Sequence, residues 1–243
     1  MDSASLIKTS ESPSDSQIAP MTAEERSTLI VKTYENLFWA TVAFGFLETL
    51  LLGIVGPGKI YELLTIEPRV SALVVGGIDI VGLFLALLPL AGNPRRWRQY
   101  VSLGLFVLLY VAIMAPGFAI ALTLVGTKVV FQAIGITVAL FIALTSAVFM
   151  TRANFTILRA GLLYGTFAAI VLIIASCIFG FELGIGFSWT MACVACGWIL
   201  HDTSVVLREA KPGDDVKCAI DIFLSLMLLL SYVLDILSGP DRG

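Results

Sequence analysis

Polar residues crowd the start of the chain and then become rare. Residues 1 to about 30, which include SASLIKTSESPSDSQ, carry no charged-then-apolar leader and are expected to form a retained, mobile cytosolic tail. From 31 to 243 the pattern inverts into a transmembrane domain. Seven apolar stretches follow, at roughly 34–55, 70–91, 99–123, 128–149, 155–180, 185–206 and 217–238. Each approaches the roughly 20 residues that a helix needs to cross a bilayer. Runs such as Ile170 to Ala175 and Leu226 to Leu230 are continuously apolar. A spanning β-strand would alternate polar and apolar at every second residue, so the spans are read as helices. Gly56-Pro57-Gly58, Gly92-Asn93-Pro94 and Lys211-Pro212-Gly213-Asp214 supply turn chemistry between them. The expected fold is all-α, a polytopic membrane protein built as a seven-transmembrane-helix bundle.

Composition agrees with the pattern. Hydrophobic residues make up 58% of the chain and charged residues 14%, against about 45–50% and 25% in soluble domains. Mean hydropathy is +0.95. The lipid bilayer is thus the first partner. A net charge of −3 argues against nucleic acid. The basic residues set an orientation. With the N-terminus in the cytosol, 11 of the 15 Lys and Arg fall on the cytosolic side and 4 (Lys59, Arg69, Lys128 and Arg242) on the other. Seven spans then place the C-terminus outside. Short loops and the missing leader point to a prokaryotic cell (inner) membrane. Asn154-Phe155-Thr156 matches a glycosylation acceptor but falls on the cytosolic side, so it is read as chance.

Little enzymatic chemistry fits. There is no HExxH motif and no G-x-S-x-G elbow, and a single histidine cannot build a multi-His metal centre. Cys193 and Cys196 have CxxC spacing, yet span 6 offers no second pair of soft ligands. The protein is therefore read as a non-enzyme without a resident cofactor. Gly161 and Gly165 form a small-xxx-small pair suited to close helix packing.

Acids inside spans are costly in lipid, which makes them the most informative residues. They are Glu48 in span 1, Asp79 in span 2, Asp202 in span 6, and Asp221 and Asp235 in span 7; Glu35 and Glu182 sit near interfaces. The bland reading of each is a structural acid joining helices. Asp202 and Asp221 form the best pair, because both lie a few residues from the loop joining two antiparallel helices. Two carboxylates in a dry site share a proton or receive a cation such as Ca²⁺, so the pair is a candidate pH sensor and metal site. Ser225 lies one turn beyond Asp221 and adds a hydroxyl. His201 precedes Asp202; adjacent helix residues do not face each other, and a packed ring is the alternative to a pH-sensitive neighbour. Arg95, Arg96, Trp97 and Arg98 close span 2, either as a topology anchor or with one arginine folded back onto an acid in the bundle.

Spans 6 and 7 resemble the Bax inhibitor family, also called the transmembrane BAX inhibitor motif proteins. Gly197-Trp198-Ile199-Leu200-His201-Asp202-Thr203 is similar to the small–apolar–Tyr–Asp–Thr stretch of that family's sixth helix. Gly213-Asp214-Asp215-Val216-Lys217 and Ala219-Ile220-Asp221-Ile222-Phe223-Leu224-Ser225 resemble its last helix, and Met114-Ala115-Pro116-Gly117 its Gly-Pro region in span 3. The resemblance implies seven helices with the last one central. It also implies a pH-sensitive Ca²⁺ leak channel, or a regulator of cell death or of membrane-protein proteolysis that binds a membrane protease or another membrane protein. The family's sensor is an aspartate in each of the last two helices. Asp202 matches the first, whereas Ser225 stands at the second, so Asp221 is either a relocated partner or the pair is lost. Asp79, with Arg95 or Arg96, matches the family's acid in the second helix and the basic residue near its end. Asp235 stands where many members have arginine.

Overall fold

The computed structural model describes residues 21–66, 95–181 and 183–239. Those residues form helices and turns without a strand, and six helical stretches are long and apolar enough to cross a membrane. The chain is an integral membrane protein. The expected span at 70–91, with Asp79, lies outside the described residues.

Helix α1 runs Ala23–Val55. It begins inside the stretch expected to be tail, because Thr22 and Glu25 form a reciprocal capping box that satisfies orphan backbone N–H groups. The tail boundary therefore moves from residue 30 to near residue 22. Gly56, at φ 84°, ends the helix in a conformation that an L side chain resists. Pro57 then opens α2 (Pro57–Ile66), a helix the Gly-Pro-Gly turn signal hid.

Helix α3 (Arg96–Ile120) passes directly into a π-helical turn, Ala121–Val125. Pro116 lies inside it and cannot donate a backbone N–H. Arg96, Trp97 and Arg98 form the first turn of α3, and the expected span that they would close lies outside the described residues. Helix α4 (Thr127–Thr151) follows Gly126 alone and ends at Arg152, in the left-handed region at φ 49°. A 3₁₀ turn, Thr156–Leu158, leads into α5 (Arg159–Phe179). Helices α6 (Gly184–Arg208) and α7 (Asp215–Ser238) form the closing antiparallel pair.

The core gathers on α7, which packs against α1, α3, α4 and α6. Its Phe223 is fully buried and meets the rings of Phe44 and Tyr110 edge-on, at 6.3 and 5.8 Å. Among the described residues, the main long-helix partner of α5 is α6. There Gly197 receives Leu162: a Cβ on Gly197 would lie 2.6 Å from the leucine Cδ2. Gly165 faces Val194, whereas a Cβ on Gly161 would meet nothing. The close approach thus uses Gly165 and Gly197, not the expected Gly161 and Gly165 pair.

Candidate functional site

The α6–α7 hairpin positions the site. Glu209 to Asp214 join the two helices, and Gly213 takes φ 96° at the turn. Asp214 accepts the backbone N–H of Lys211 at 3.1 Å, which closes the turn and fixes where α7 starts. At the end of α6, Arg26 reaches across from α1. Its guanidinium donates to the carbonyls of Val206 (3.4 Å), Ala210 (3.1 Å) and Arg208 (3.4 Å). A cation on exposed helix carbonyls is the favourable arrangement at a helix C-terminus.

Asp202 lies about 9 Å down α6 from that end. It is 8% exposed. Its Oδ2 accepts the Ser225 hydroxyl at 2.5 Å, and its Oδ1 faces His201 Nδ1 at 3.0 Å. Ser225 also lies 3.2 Å from the Asp221 backbone carbonyl, but a hydroxyl has one hydrogen, and the carboxylate is the nearer and stronger acceptor. The His201 ring is itself held edge-on by Trp198, at 5.4 Å. Trp198 donates from Nε1 to Thr166 of α5 at 3.0 Å. A chain of contacts therefore runs from α5 through Trp198 and His201 to Asp202 on α6, and ends at Ser225 on α7.

Two expectations change here and a third is met. First, Asp202 bonds Ser225, not Asp221. Measuring from the loop treated the two helices as level. They are staggered by one turn, about 6 Å, so the residue opposite Asp202 is Ser225. The Asp221 side chain is exposed, although Asp202, Lys217, His201 and Asp214 are the charges nearest to it. Second, His201 and its neighbour Asp202 do touch. Their Cβ atoms diverge around the helix, but Nδ1 lies close to the ring's attachment point and the carboxylate swings back to meet it. Third, as expected of this cluster, an arginine reaches an acid, and it is Arg96. It pairs at 3.4 Å with Asp215, in the first turn of α7, where Asn36 also approaches at 3.5 Å. Arg95 is exposed ahead of α3. Asp215 was quoted only within the stretch that resembles the family's last helix, and sequence reasoning did not single it out as an acid with a partner.

The remaining acids separate. Asp235 on α7 accepts the hydroxyl of buried Ser188 on α6. The α6–α7 interface thus has reciprocal polar contacts: each helix supplies one carboxylate and one serine. Glu48 is buried in α1, and among the described residues both its oxygens lack a hydrogen-bond partner. Glu35 is exposed. Among the described residues no group of three or more His, Cys, Asp or Glu is placed to hold a metal ion. One carboxylate, a serine hydroxyl and an exposed second acid are too few donors for a Ca²⁺ cage of about 6–8 oxygens.

The chain is 26% identical to Bax inhibitor 1 of Schizosaccharomyces pombe over 201 residues, covering 74% of each chain. It is 27% identical to protein lifeguard 4 of Mus musculus over 182 residues, covering 71% of this chain and 70% of the mouse protein. It is 31% identical to the Golgi anti-apoptotic protein of vaccinia virus over 129 residues, covering 51% of this chain and 53% of the viral one. The family model described as "Inhibitor of apoptosis-promoting Bax1" matches residues 26–242, nearly all of the helical domain, and the chain belongs to that Bax inhibitor family.

Proposed function

We propose that the protein is a proton-responsive cation leak pathway, with Ca²⁺ as the permeant ion, in which the Asp202–Ser225 contact holds α6 to α7 near their connecting loop. The observation that carries this reading is a buried carboxylate whose two oxygens are occupied by Ser225 of the next helix and by His201. An ionised Asp202 accepts a charge-assisted hydrogen bond, about twice as strong as a neutral one. Protonation removes that charge and weakens the tie between the helices. His201 approaches the other oxygen at 3.0 Å and helps to fix the carboxylate in place. Asp221, Lys217 and Asp214 stand at the same end and set the local field. The proposed topology is seven spans, with the N-terminus cytosolic and α7 as the central helix. Its support is the charge distribution and the packing of α7 on four other helices.

The test is Ca²⁺ flux into proteoliposomes at several pH values between about 5 and 8, where imidazole titrates. Wild type is expected to conduct in a pH-dependent way, and Asp202→Asn to conduct at a level that does not change with pH. Equal, pH-independent flux for both proteins removes the mechanism. Equal pH dependence in both removes Asp202 as the sensor.

A second reading has support in two relatives named for opposing cell death, a Bax inhibitor and an anti-apoptotic protein. In it the protein does not transport but binds a membrane protease or a stress complex. Pull-down from native membranes, with and without residues 1–20, is expected to retain a partner. Absence of a partner with both forms removes this reading.

A further inference from the structure

A second acid lies away from the α6–α7 hairpin and is not used by it. Glu48, on α1, is 5% exposed, and among the described residues neither of its oxygens has a hydrogen-bond partner. It borders a cavity of about 400 Å³ between α1, α3, α4 and α7. The other walls are overwhelmingly apolar, with Phe44, Phe118, Phe131 and Leu226 among them. Thr137 of α4 also lines the cavity, is 2% exposed, and has an unpartnered hydroxyl. Gly45 on α1 and Phe131 on α4 border the cavity and are exposed, so its mouth opens sideways between these helices at bilayer level.

Leaving buried polar atoms without partners costs about 1–3 kcal/mol each, and more for a charged group. The volume lies at the small end of ligand pockets, about 300–1,000 Å³. The lining decides what kind of ligand fits. A bare Ca²⁺ needs about 6–8 oxygens, and the cavity offers one carboxylate among aromatic and aliphatic walls. A molecule with an ammonium head and an apolar chain satisfies both features at once. Its N–H groups bond the Glu48 carboxylate and the Thr137 hydroxyl, and its chain covers the apolar walls.

We infer that the Glu48 cavity is a binding site for a membrane-partitioned, single-chain amine that enters sideways from the bilayer between α1 and α4. The test uses the full chain in phosphatidylcholine nanodiscs and a decylamine carrying a photoreactive diazirine in its alkyl chain. Adducts are mapped by peptide mass spectrometry. They are expected on the α1 and α4 walls, to be competed by decylamine, and to resist decanol, decanoate and water-soluble propylamine at equal concentration. Glu48→Gln, which keeps the shape and removes the charge, is expected to reduce labelling at least tenfold. Gly45→Leu leaves the carboxylate in place and adds bulk at the mouth, where a new Cβ meets no neighbour within 4 Å; it is expected to reduce labelling similarly.

Labelling that survives both variants, or that decanol competes as well as decylamine does, overturns the proposal. Competition by propylamine overturns entry from the bilayer. If Glu48→Gln does not yield a monodisperse protein, Gly45→Leu decides: lost labelling supports the site and unchanged labelling overturns it. None of these readouts depends on Ca²⁺ flux, so this site and the α6–α7 mechanism stand or fall separately.

Discussion

Helices α5 and α7 would look alike on a hydropathy plot. The spans that contain them have mean hydropathies of 2.1 and 2.2, yet 11% of the first and 56% of the second is buried inside the protein. Lipid is as apolar as leucine, so a leucine gains little by leaving it for another helix. What separates the two helices is their polar residues. Helix α7 carries Asp221, Ser225, Ser231 and Asp235. Ser225 and Asp235 each find a hydrogen-bond partner on α6. On α5, Thr166 reaches Trp198, and Ser176 bonds back to the Phe181 carbonyl at its own end. In this protein, polarity within a span marks the helix that packs against four others.

That difference is open to a direct challenge. Phe223→Ala on α7 removes a fully buried ring that two other rings touch, and is expected to cost about 3–5 kcal/mol. Phe167→Ala on α5, where the ring is exposed, is expected to stay within about 0.5 kcal/mol. Thermal unfolding in nanodiscs measures both, and equal losses would end the distinction between the helices.

Next in size is Ser225→Ala, which leaves the buried Asp202 carboxylate without its donor at an expected cost of about 1–3 kcal/mol. The same unfolding assay applies. A loss that disappears once Asp202 is also changed to Asn would assign the cost to this pair, by the logic of a double-mutant cycle.

At the α5–α6 seam the effects are smaller. Gly197→Ala pushes a methyl against the flexible end of Leu162 and is expected to destabilise by about 1 kcal/mol. Gly161→Ala meets nothing and is expected to be neutral or to stabilise by up to about 1 kcal/mol. Reversed signs would move the close contact back to the Gly161 and Gly165 pair. The smallest effect belongs to Arg96→Ala. Its guanidinium is largely exposed while Asp215 is buried, so the pair is worth about 1 kcal/mol or less, weakening with salt. Chemical shifts of Asp215 across a salt series would follow it.

Much of the architecture was legible because apolar length and turn residues depend on local sequence. The spans read near 99–123, 128–149, 155–180, 185–206 and 217–238 correspond to α3 to α7. The additional turns of α1 were hidden, because a capping box makes a polar stretch helical without making it apolar. Asp202 was legible as an acid in a span. Its partner was not, because stagger between helices is a tertiary property, and a shift of one turn exchanges Asp221 for Ser225. Glu48 could be noted in the sequence, but only packing reveals that nothing answers its carboxylate. Helical spacing put Ser225 one turn beyond Asp221, and the resemblance to the Bax inhibitor family added that it stands at the second sensor position.

The central claim of the proposal is that the Asp202 carboxylate ties α6 to α7 through the Ser225 hydroxyl. Ca²⁺ flux into proteoliposomes across a pH series, for wild type, Ser225→Ala, Asp202→Asn and the double variant, tests it most directly. The account predicts that each single variant loses the wild-type pH dependence and that the double variant behaves like Asp202→Asn alone. Wild-type pH dependence in Ser225→Ala or in Asp202→Asn would contradict it.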